Sequence, residues 1–189
     1  MNWAIKNNEK IQAIPKERAT CPLCNQEVIA KCGEINIWHW AHKQDFECDS
    51  FGEPESEWHL KWKNYFPKEC QEVTIIKGLK KHRADIQTKN GLIIELQNSP
   101  ISLQEIRERE KFYENMIWIL NVESLGKNIV LYKKRFKWKW VPKGWEYSFK
   151  KIYVDFAGDK LICLDIQDRT FTQHSKWAFI IFNGGKPYG

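Results

Sequence analysis

Two carboxylates flank a sharp turn in this 189-residue sequence. Arg83-Ala84-Asp85-Ile86 is followed by Asn90-Gly91 and then by Ile94-Glu95-Leu96-Gln97. Asn-Gly between two apolar runs is a strong hairpin signal. The length of the loop decides what the carboxylates can do. A two-residue loop, Asn90-Gly91, sets Asp85 opposite Leu96 and turns Asp85 and Glu95 to opposite faces. A three-residue loop, Lys89-Asn90-Gly91, pairs Thr88 with Leu92 and sets Asp85 opposite Glu95, with Cβ atoms about 5 Å apart. Gly91 then takes the left-handed position of a type I turn with a bulge, which glycine accepts without steric cost. We expect the three-residue loop, with Gln97 on the carboxylates' face and Arg83 opposite it. Two carboxylates placed in this way can hold a divalent cation against a phosphate. The bland alternative is a pair of solvated acids. Against it, Leu92, Ile93, Ile94 and Leu96 make a nearly continuous apolar run, which implies burial on both faces. Adjacent buried carboxylates are costly unless a cation neutralises them.

The elements around the hairpin must position these groups. A helix is expected from about Glu55 to Tyr65, with Glu55, His59 and Lys63 at spacing four along one face. Gln71 to Lys77 reads as a strand through Val73, Ile75 and Ile76. Ser102-Leu103-Gln104-Glu105 is a capping box that opens a charged helix through about Asn115. Ile117-Trp118-Ile119-Leu120 reads as a buried strand. The order is helix, three strands, helix, strand.

That order, with the Asp85…Glu95-x-Gln97 signature, resembles the PD-(D/E)xK nuclease superfamily, with glutamine in place of the usual lysine. More narrowly, the chain is similar to the competence protein CoiA-like family. The matching pieces run in order over residues about 20 to 120. They are Cys21-Pro22-Leu23-Cys24, His39-Trp40-Ala41-His42, Cys48, Glu55-Ser56-x-x-His59-x-x-x-Lys63, Arg83-Ala84-Asp85, Glu95-x-Gln97-Asn98-Ser99-Pro100-Ile101-Ser102, Arg109-x-x-x-Tyr113 and Trp118-Ile119-Leu120. The resemblance implies a nuclease core behind a cysteine/histidine segment, processing DNA during uptake and recombination or acting on foreign DNA. Its partners would be single- or double-stranded DNA and proteins of recombination or DNA uptake. It also implies Mg²⁺ or Mn²⁺ on Asp85 and Glu95, with the Leu96 carbonyl as a third ligand and Glu55, or alternatively Glu57, as a further carboxylate. Gln97 would position the attacking water. The superfamily's lysine orients or activates that water, and Gln97 can hydrogen-bond it without supplying charge. Lys63 or His59 is the candidate source of the missing charge. Arg83 and Arg109 are candidate phosphate contacts, and Arg109 and Tyr113 read equally well as structural helix residues. The rival function is a catalytically weak or inactive nucleic-acid-binding module that keeps the nuclease fold. A third reading is a zinc-stabilised interaction protein with incidental carboxylates.

Six cysteines are present, at 21, 24, 32, 48, 70 and 163. The N-terminus lacks the apolar core of a signal peptide, and no run approaches the ~18 apolar residues of a membrane span. A cytoplasmic location without disulfides is therefore expected. Cys21-x-x-Cys24 suits tetrahedral Zn²⁺, and His39, His42 and Cys48 can complete the site. If residues 39 to 42 form a strand, the two histidines diverge and only one reaches the metal. The favoured set is Cys21, Cys24, His42 and Cys48, with His39 in reserve and Cys32 behind it. A redox pair would need a thioredoxin-like strand and helix, which this segment lacks; a pair of buried thiols is the bland alternative. Cys70 and Cys163 read as small buried apolar residues.

Hydrophobic residues make up 42% and charged residues 29%, as in soluble globular proteins, and the net charge of +6 favours anionic partners. From Arg135 the sequence alternates, with Phe136, Trp138 and Trp140 against Arg135, Lys137 and Lys139. Such a strand can stack bases on its rings, or it can bury the rings as core, which is the favoured reading. Trp145, Tyr147 and Phe149 continue the same period. Ile152 to Phe156, Leu161 to Ile166 and Trp177 to Phe182 read as further strands, with Ala157-Gly158-Asp159 as a turn. The expected architecture is α/β. Residues 1–50 form N-terminal strands with a zinc-ribbon-like segment, 51–125 a PD-(D/E)xK-type core, and 126–189 a β-rich basic and aromatic appendage.

Overall fold

A computed structural model of the chain describes residues 1–35, 37–43, 48–51, 55–125, 129–139, 144–156 and 158–186. Trp140 and Ala157, named above, lie outside them. The first five strands are β1 (Ala4–Lys6), β2 (Glu9–Ile11), β3 (Arg18–Thr20), β4 (Glu27–Lys31) and β5 (His39–His42). They form one antiparallel sheet in the order β2-β1-β3-β4-β5. Its small core holds Ala4, Leu23, Val28 and Trp40.

Then follow α1 (Glu57–Asn64), β6 (Gln71–Lys77), β7 (Lys80–Gln87), β8 (Ile93–Gln97), α2 (Leu103–Tyr113) and β9 (Met116–Asn121). The expected order of helix, three strands, helix, strand is present. The chain continues with α3 (Val122–Leu125), β10 (Ile129–Tyr132), β11 (Arg135–Trp138), β12 (Ile152–Asp155), β13 (Lys160–Asp165), β14 (Thr170–Ser175) and α4 (Lys176–Phe182). One nine-stranded sheet joins both regions, ordered β10-β11-β14-β13-β12-β9-β8-β7-β6. The C-terminal strands thus extend the sheet that holds the hairpin. Among the described strands the parallel pairings are β8 with β9 and β9 with β12, with α2 as the crossover between β8 and β9.

The sheet is buried on both faces around the hairpin, as the unbroken apolar runs require. Ile93, Trp118 and Leu120 join Ile106, Phe112 and Tyr113 of α2 in one core. Ile94, Leu96 and Ile119 join Trp62 of α1 and Ile180 of α4 in another. Each fully buried large side chain of this kind contributes about 1.5–3 kcal/mol. Phe136 and Trp138 are buried in the first core while Arg135 and Lys137 are exposed, so the aromatic stripe is core and not a stacking platform.

Two stretches differ from the sequence reading. Trp145–Tyr147 is a 3-10 turn, not a strand, because Trp145 turns fully into the core against Trp118. Tyr147 and Phe149 are left exposed. Residues 176–182 form α4 and not a strand. Ser175 caps it by accepting from the Ala178 N–H, and a continuous apolar run carries no period to reveal this. No helix among the described residues is long and apolar enough to cross a membrane.

The hairpin has the three-residue loop. Ile86 pairs with Ile94 and Gln87 with Ile93. The Thr88 N–H donates to the Leu92 carbonyl at 2.9 Å, and the Gly91 N–H closes the turn onto the Thr88 carbonyl at 2.9 Å. Gly91 has φ +77° with open space about its Cα. Gly91→Ala is therefore expected to cost about 1–2 kcal/mol through backbone strain alone. Urea denaturation checks this, and no loss of stability would contradict the assigned turn.

Candidate active site and metal centre

The ladder between β7 and β8 opens where the acids stand. Asp85 lies one step beyond the Ile86–Ile94 pair and so opposite Glu95. In place of ladder bonds, each strand's N–H is taken by the other strand's carboxylate. The Asp85 N–H donates to Glu95 Oε1 at 3.2 Å, and the Leu96 N–H donates to Asp85 Oδ2 at 3.0 Å. Both side chains line a buried cavity of about 30 Å³, together with Glu55, His59, Lys63, Arg83 and Arg109. That is room for about one water or ion.

Helix α1 delivers His59 and Lys63, and Glu55 stands just before its cap rather than in its first turn. Ser56 is its cap, and its hydroxyl accepts from the His59 N–H while His59 Nδ1 accepts from the Ser56 N–H. This capping box has histidine where the sequence rule looks for Glu or Gln. With Nδ1 accepting, Nε2 carries the proton and donates to the Leu96 carbonyl at 3.2 Å. His59 thereby engages the carbonyl expected as a metal ligand. One turn on, Lys63 Nζ sits among three carboxylates, at 2.9 Å from Glu55, 3.1 Å from Glu72 and 3.1 Å from Asp85.

Burial alone would lower the Lys63 pKa, yet the charges of Glu72, Asp85 and Glu55 hold the ammonium above its usual range. Burial pushes Glu72 and Asp85 up, but Lys63 and neighbouring donors outweigh it and hold both below the usual carboxylate range. Glu55 goes the other way. Its burial outweighs the pull of Lys63, and its Oε1 is buried with no hydrogen-bond partner. Glu95 is pushed up to about 8 by burial and by the Asp85 charge, against the pull of Arg109.

Helix α2 supplies Arg109, which is 2% exposed. It donates to Glu95 at 3.2 Å, to the Phe51 carbonyl at 2.9 Å and to Glu105 at 2.9 Å. It is thus committed to protein groups and does not present itself as a phosphate contact. Because Glu105 turns to Arg109, the Ser102 box is a half box, with Ser102 accepting from the Glu105 N–H. Arg83 lines the cavity, with Glu72 and Asp49 holding its guanidinium above the usual range against burial. Gln97 is fully buried, its amide donates to the Ser99 carbonyl at 2.9 Å, and it does not line the cavity. Glu57 is exposed at the start of α1, away from it.

Two participants were not anticipated. Glu72 sits in β6 with φ +45° and accepts from the Asn2 N–H at 2.8 Å and the Trp3 N–H at 3.1 Å. Asp49 accepts from the Arg83 N–H at 2.8 Å and pairs with His82 Nδ1 at 2.9 Å.

The second cluster lies in the N-terminal sheet. The ligand atoms of Cys21, Cys24, His42 and Cys48 all fall within 4.8 Å of one another, which is the favoured set. Cys21 and Cys48 sulfurs are 3.7 Å apart, and Cys24 Sγ lies 3.2 Å from His42 Nε2. Tetrahedral zinc with Zn–S of about 2.3 Å spaces its sulfurs about 3.8 Å apart, so the donor set and spacing can hold Zn²⁺. Burial and the neighbouring thiols push Cys48 up to about 12; a bound cation would reverse that pressure. His39 points elsewhere, with Nδ1 on the Ile37 carbonyl at 2.8 Å. The alternation of β5 separates the two histidines.

The fold and site thus define an α/β protein with a Cys/His cluster ahead of a sheet that carries paired carboxylates at a small cavity. Comparison with known proteins places it further. Residues 4–51 match the model of the competence protein CoiA N-terminal domain, and residues 55–179 match that of the CoiA nuclease-like domain. The second match alone covers more than half of the chain, which belongs to the competence protein CoiA family. A segment of 52 residues is 40% identical to competence protein CoiA of Bacillus subtilis (strain 168), covering 28% of this chain and 14% of that relative. No solved structure matches the chain.

Two measurements follow. Metal analysis of the purified protein is expected to give one zinc per chain, lost in Cys21→Ser with Cys48→Ser; zinc retained by that double variant would contradict the assigned ligands. Removing one partner of a buried ion pair costs about 3–5 kcal/mol, and Lys63→Ala strands three carboxylates. In the native protein, the depressed Glu72 and Asp85 give stability that is present above their unfolded pKa values and lost as pH falls. In Lys63→Ala the same groups are raised, so stability is lost as pH rises. Denaturation curves of the two proteins should differ by that amount at neutral pH and converge only as pH falls below the ordinary carboxylate pKa of about 4, toward the depressed values of Glu72 and Asp85.

Proposed function

We propose that this chain is a divalent-metal-dependent nuclease of the PD-(D/E)xK type that hydrolyses DNA phosphodiester bonds, in DNA uptake, recombination or the processing of foreign DNA. The observation that carries the reading is the pair Asp85 and Glu95, directly opposite at the open fork of β7 and β8 and facing one small buried cavity. The family's nuclease-like domain supports the reaction class. The residues suit Mg²⁺ or Mn²⁺. Glu55 Oε1 is an orphaned buried oxygen at the same cavity, and a carboxylate with a raised pKa, as in Glu95, marks a place short of positive charge. Asp85, Glu95 and Glu55 would hold the ion, which when bound neutralises charge on the phosphate and lowers the pKa of a coordinated water. Lys63 takes the part of the superfamily's strand lysine. Its ammonium, 3.1 Å from Asp85, keeps that carboxylate ionised and places a cation beside the reacting phosphate. His59 fixes the Leu96 carbonyl and with it the edge of β8. Arg109 holds Glu95 in place.

One observation favours the second reading, a DNA-binding module of weak or no activity. Each oxygen of Asp85 and of Glu95 already accepts from a protein donor, which leaves one lone pair apiece and a partly neutralised charge for an ion. Incubation with single- and double-stranded DNA in Mg²⁺, Mn²⁺ or neither decides between the two. Cleavage is expected with metal, and Asp85→Ala should lower it by 10³-fold or roughly that order, as removal of one transition-state contact does. Lys63→Arg should retain more activity than Lys63→Met. Cleavage that survives Asp85→Ala overturns the first reading. Binding that weakens with salt, without cleavage, establishes the second.

A further inference from the structure

A second recess adjoins the carboxylate cavity on the neighbouring face of α1. It is a cleft of about 810 Å³ at the ends of the parallel strands β8, β9 and β12. Glu55, His59 and Lys63 face the cavity, whereas Trp58, Lys61 and Trp62 face the cleft. Leu96 borders the one and Asn98 the other. Two residues of extended chain span about 7 Å, so the recesses lie within reach of adjacent parts of one nucleotide strand.

The cleft is built around a buried carboxylate. Asp155 accepts from the indole N–H groups of Trp58 at 2.8 Å and Trp62 at 2.7 Å, and it pairs with Lys176 at 2.5 Å. These bonds lock two indoles in place. The rings continue edge to face, Trp58 to Trp62 at 6.5 Å, Trp62 to Tyr65 at 5.9 Å and Tyr65 to Trp177 at 5.4 Å. Trp62 and Tyr65 are buried, while Trp58 and Trp177 at the two ends of this arc are only partly covered. At the strand ends, Asn98 Oδ1 accepts from Asn121 Nδ2 at 2.7 Å and from Ser124 at 3.1 Å. With its oxygen held, the Asn98 amide turns its two N–H donors away from those partners.

Charge narrows the ligand. Among the described lining residues, four carboxylates (Glu57, Glu123, Asp155, Asp159) face two ammonium groups (Lys61, Lys176). Such a wall repels phosphate. Ring faces with a fixed amide donor suit an uncharged aromatic heterocycle that carries hydrogen-bond acceptors.

We infer that this cleft receives an unpaired nucleobase of a strand whose phosphate lies at the Asp85–Glu95 cavity. The adjoining phosphate rests on the nuclease reading; the base site rests on the cleft. A duplex keeps its bases stacked and cannot fill the cleft without extruding one, so the site confers a preference for single strands or frayed ends.

The test is equilibrium binding of the full chain to a labelled oligo-dT and to a blunt duplex of equal length, without added Mg²⁺ or Mn²⁺. Trp177→Leu is expected to weaken oligo-dT binding about tenfold, within the range of one stacked base, and to leave duplex binding unchanged. The slope of affinity against salt should stay the same, because no phosphate contact is removed. Asn98→Ala, at the cleft's edge, should weaken oligo-dT binding in the same sense and serves if Trp177→Leu does not fold. Equal losses on both substrates, or no loss on either, would overturn the inference. Cleavage assays separate the two readings. Trp177-dependent strand binding in a protein that cuts nothing keeps the cleft and removes the nuclease. Asp85-dependent cleavage with a strand preference unmoved by Trp177→Leu does the reverse.

Discussion

The Lys63 ammonium is the point on which the structure depends. Three carboxylates meet it: Glu72 in β6, which is buried, and Glu55 just before α1 and Asp85 in β7, which are half-buried. Each would cost several kcal/mol to bury ionised and alone. Grouped about one cation, they tie the helix to the sheet instead. The same requirement shapes the backbone. Asp85 and Glu95 need donors, and they take the N–H groups of each other's strands. The ladder therefore opens at the acids, and the opening is the cavity. A regular hairpin would have paired those N–H groups with carbonyls and left the carboxylates to solvent.

The network reaches the N-terminal sheet through main-chain bonds. Glu72 accepts from Asn2 and Trp3 at the start of β1, and Trp3 in turn bonds Gln71. Thr74 of β6 donates to the carbonyl of Pro22, inside the Cys21-x-x-Cys24 knuckle. From the other end, Cys48 belongs to the metal-type cluster while its neighbour Asp49 receives the Arg83 N–H of β7. One short segment thus completes the Cys/His centre and anchors the catalytic-candidate strand. A metal held at the Cys/His cluster would give order to a sheet with so small a core, and would pass that order to the position of β7.

Much of this was legible in the sequence. The Asn-Gly signal located the turn and allowed two loop lengths, of which the expected three-residue loop sets Asp85 opposite Glu95. The cluster followed from alternation along β5, which allows only one of His39 and His42 to face the cysteines. His59 and Lys63 followed from helical spacing; Glu55 lines the cavity with them, although the helix starts two residues after it. Glu72 was not legible. A glutamate in a strand is usually solvated, and what buries this one is Lys63, nine positions away, and two main-chain N–H groups some seventy positions away. Asp49 was hidden for the same reason. Helix α4 was hidden because Lys176–Phe182 is apolar almost throughout, so its period is silent and only the Ser175 cap distinguishes it. The Trp145 turn reflects a pocket against Trp118 that no local pattern encodes.

Glutamine at position 97 is consistent with this arrangement. Residue 97 is fully buried, flanked by the pairing of β8 with β9. A lysine there would bury a second ammonium where the nearby carboxylates are already engaged, Asp85 with Lys63 and Glu95 with Arg109. An unpaired buried ammonium is among the most costly groups a core can hold. Glutamine is uncharged and keeps a donor, which it gives to the Ser99 carbonyl just past the end of β8. That bond fixes the exit of the strand toward Asn98 and the cleft beyond. The cation that the carboxylates require comes from α1, and the strand position is freed to hold the backbone.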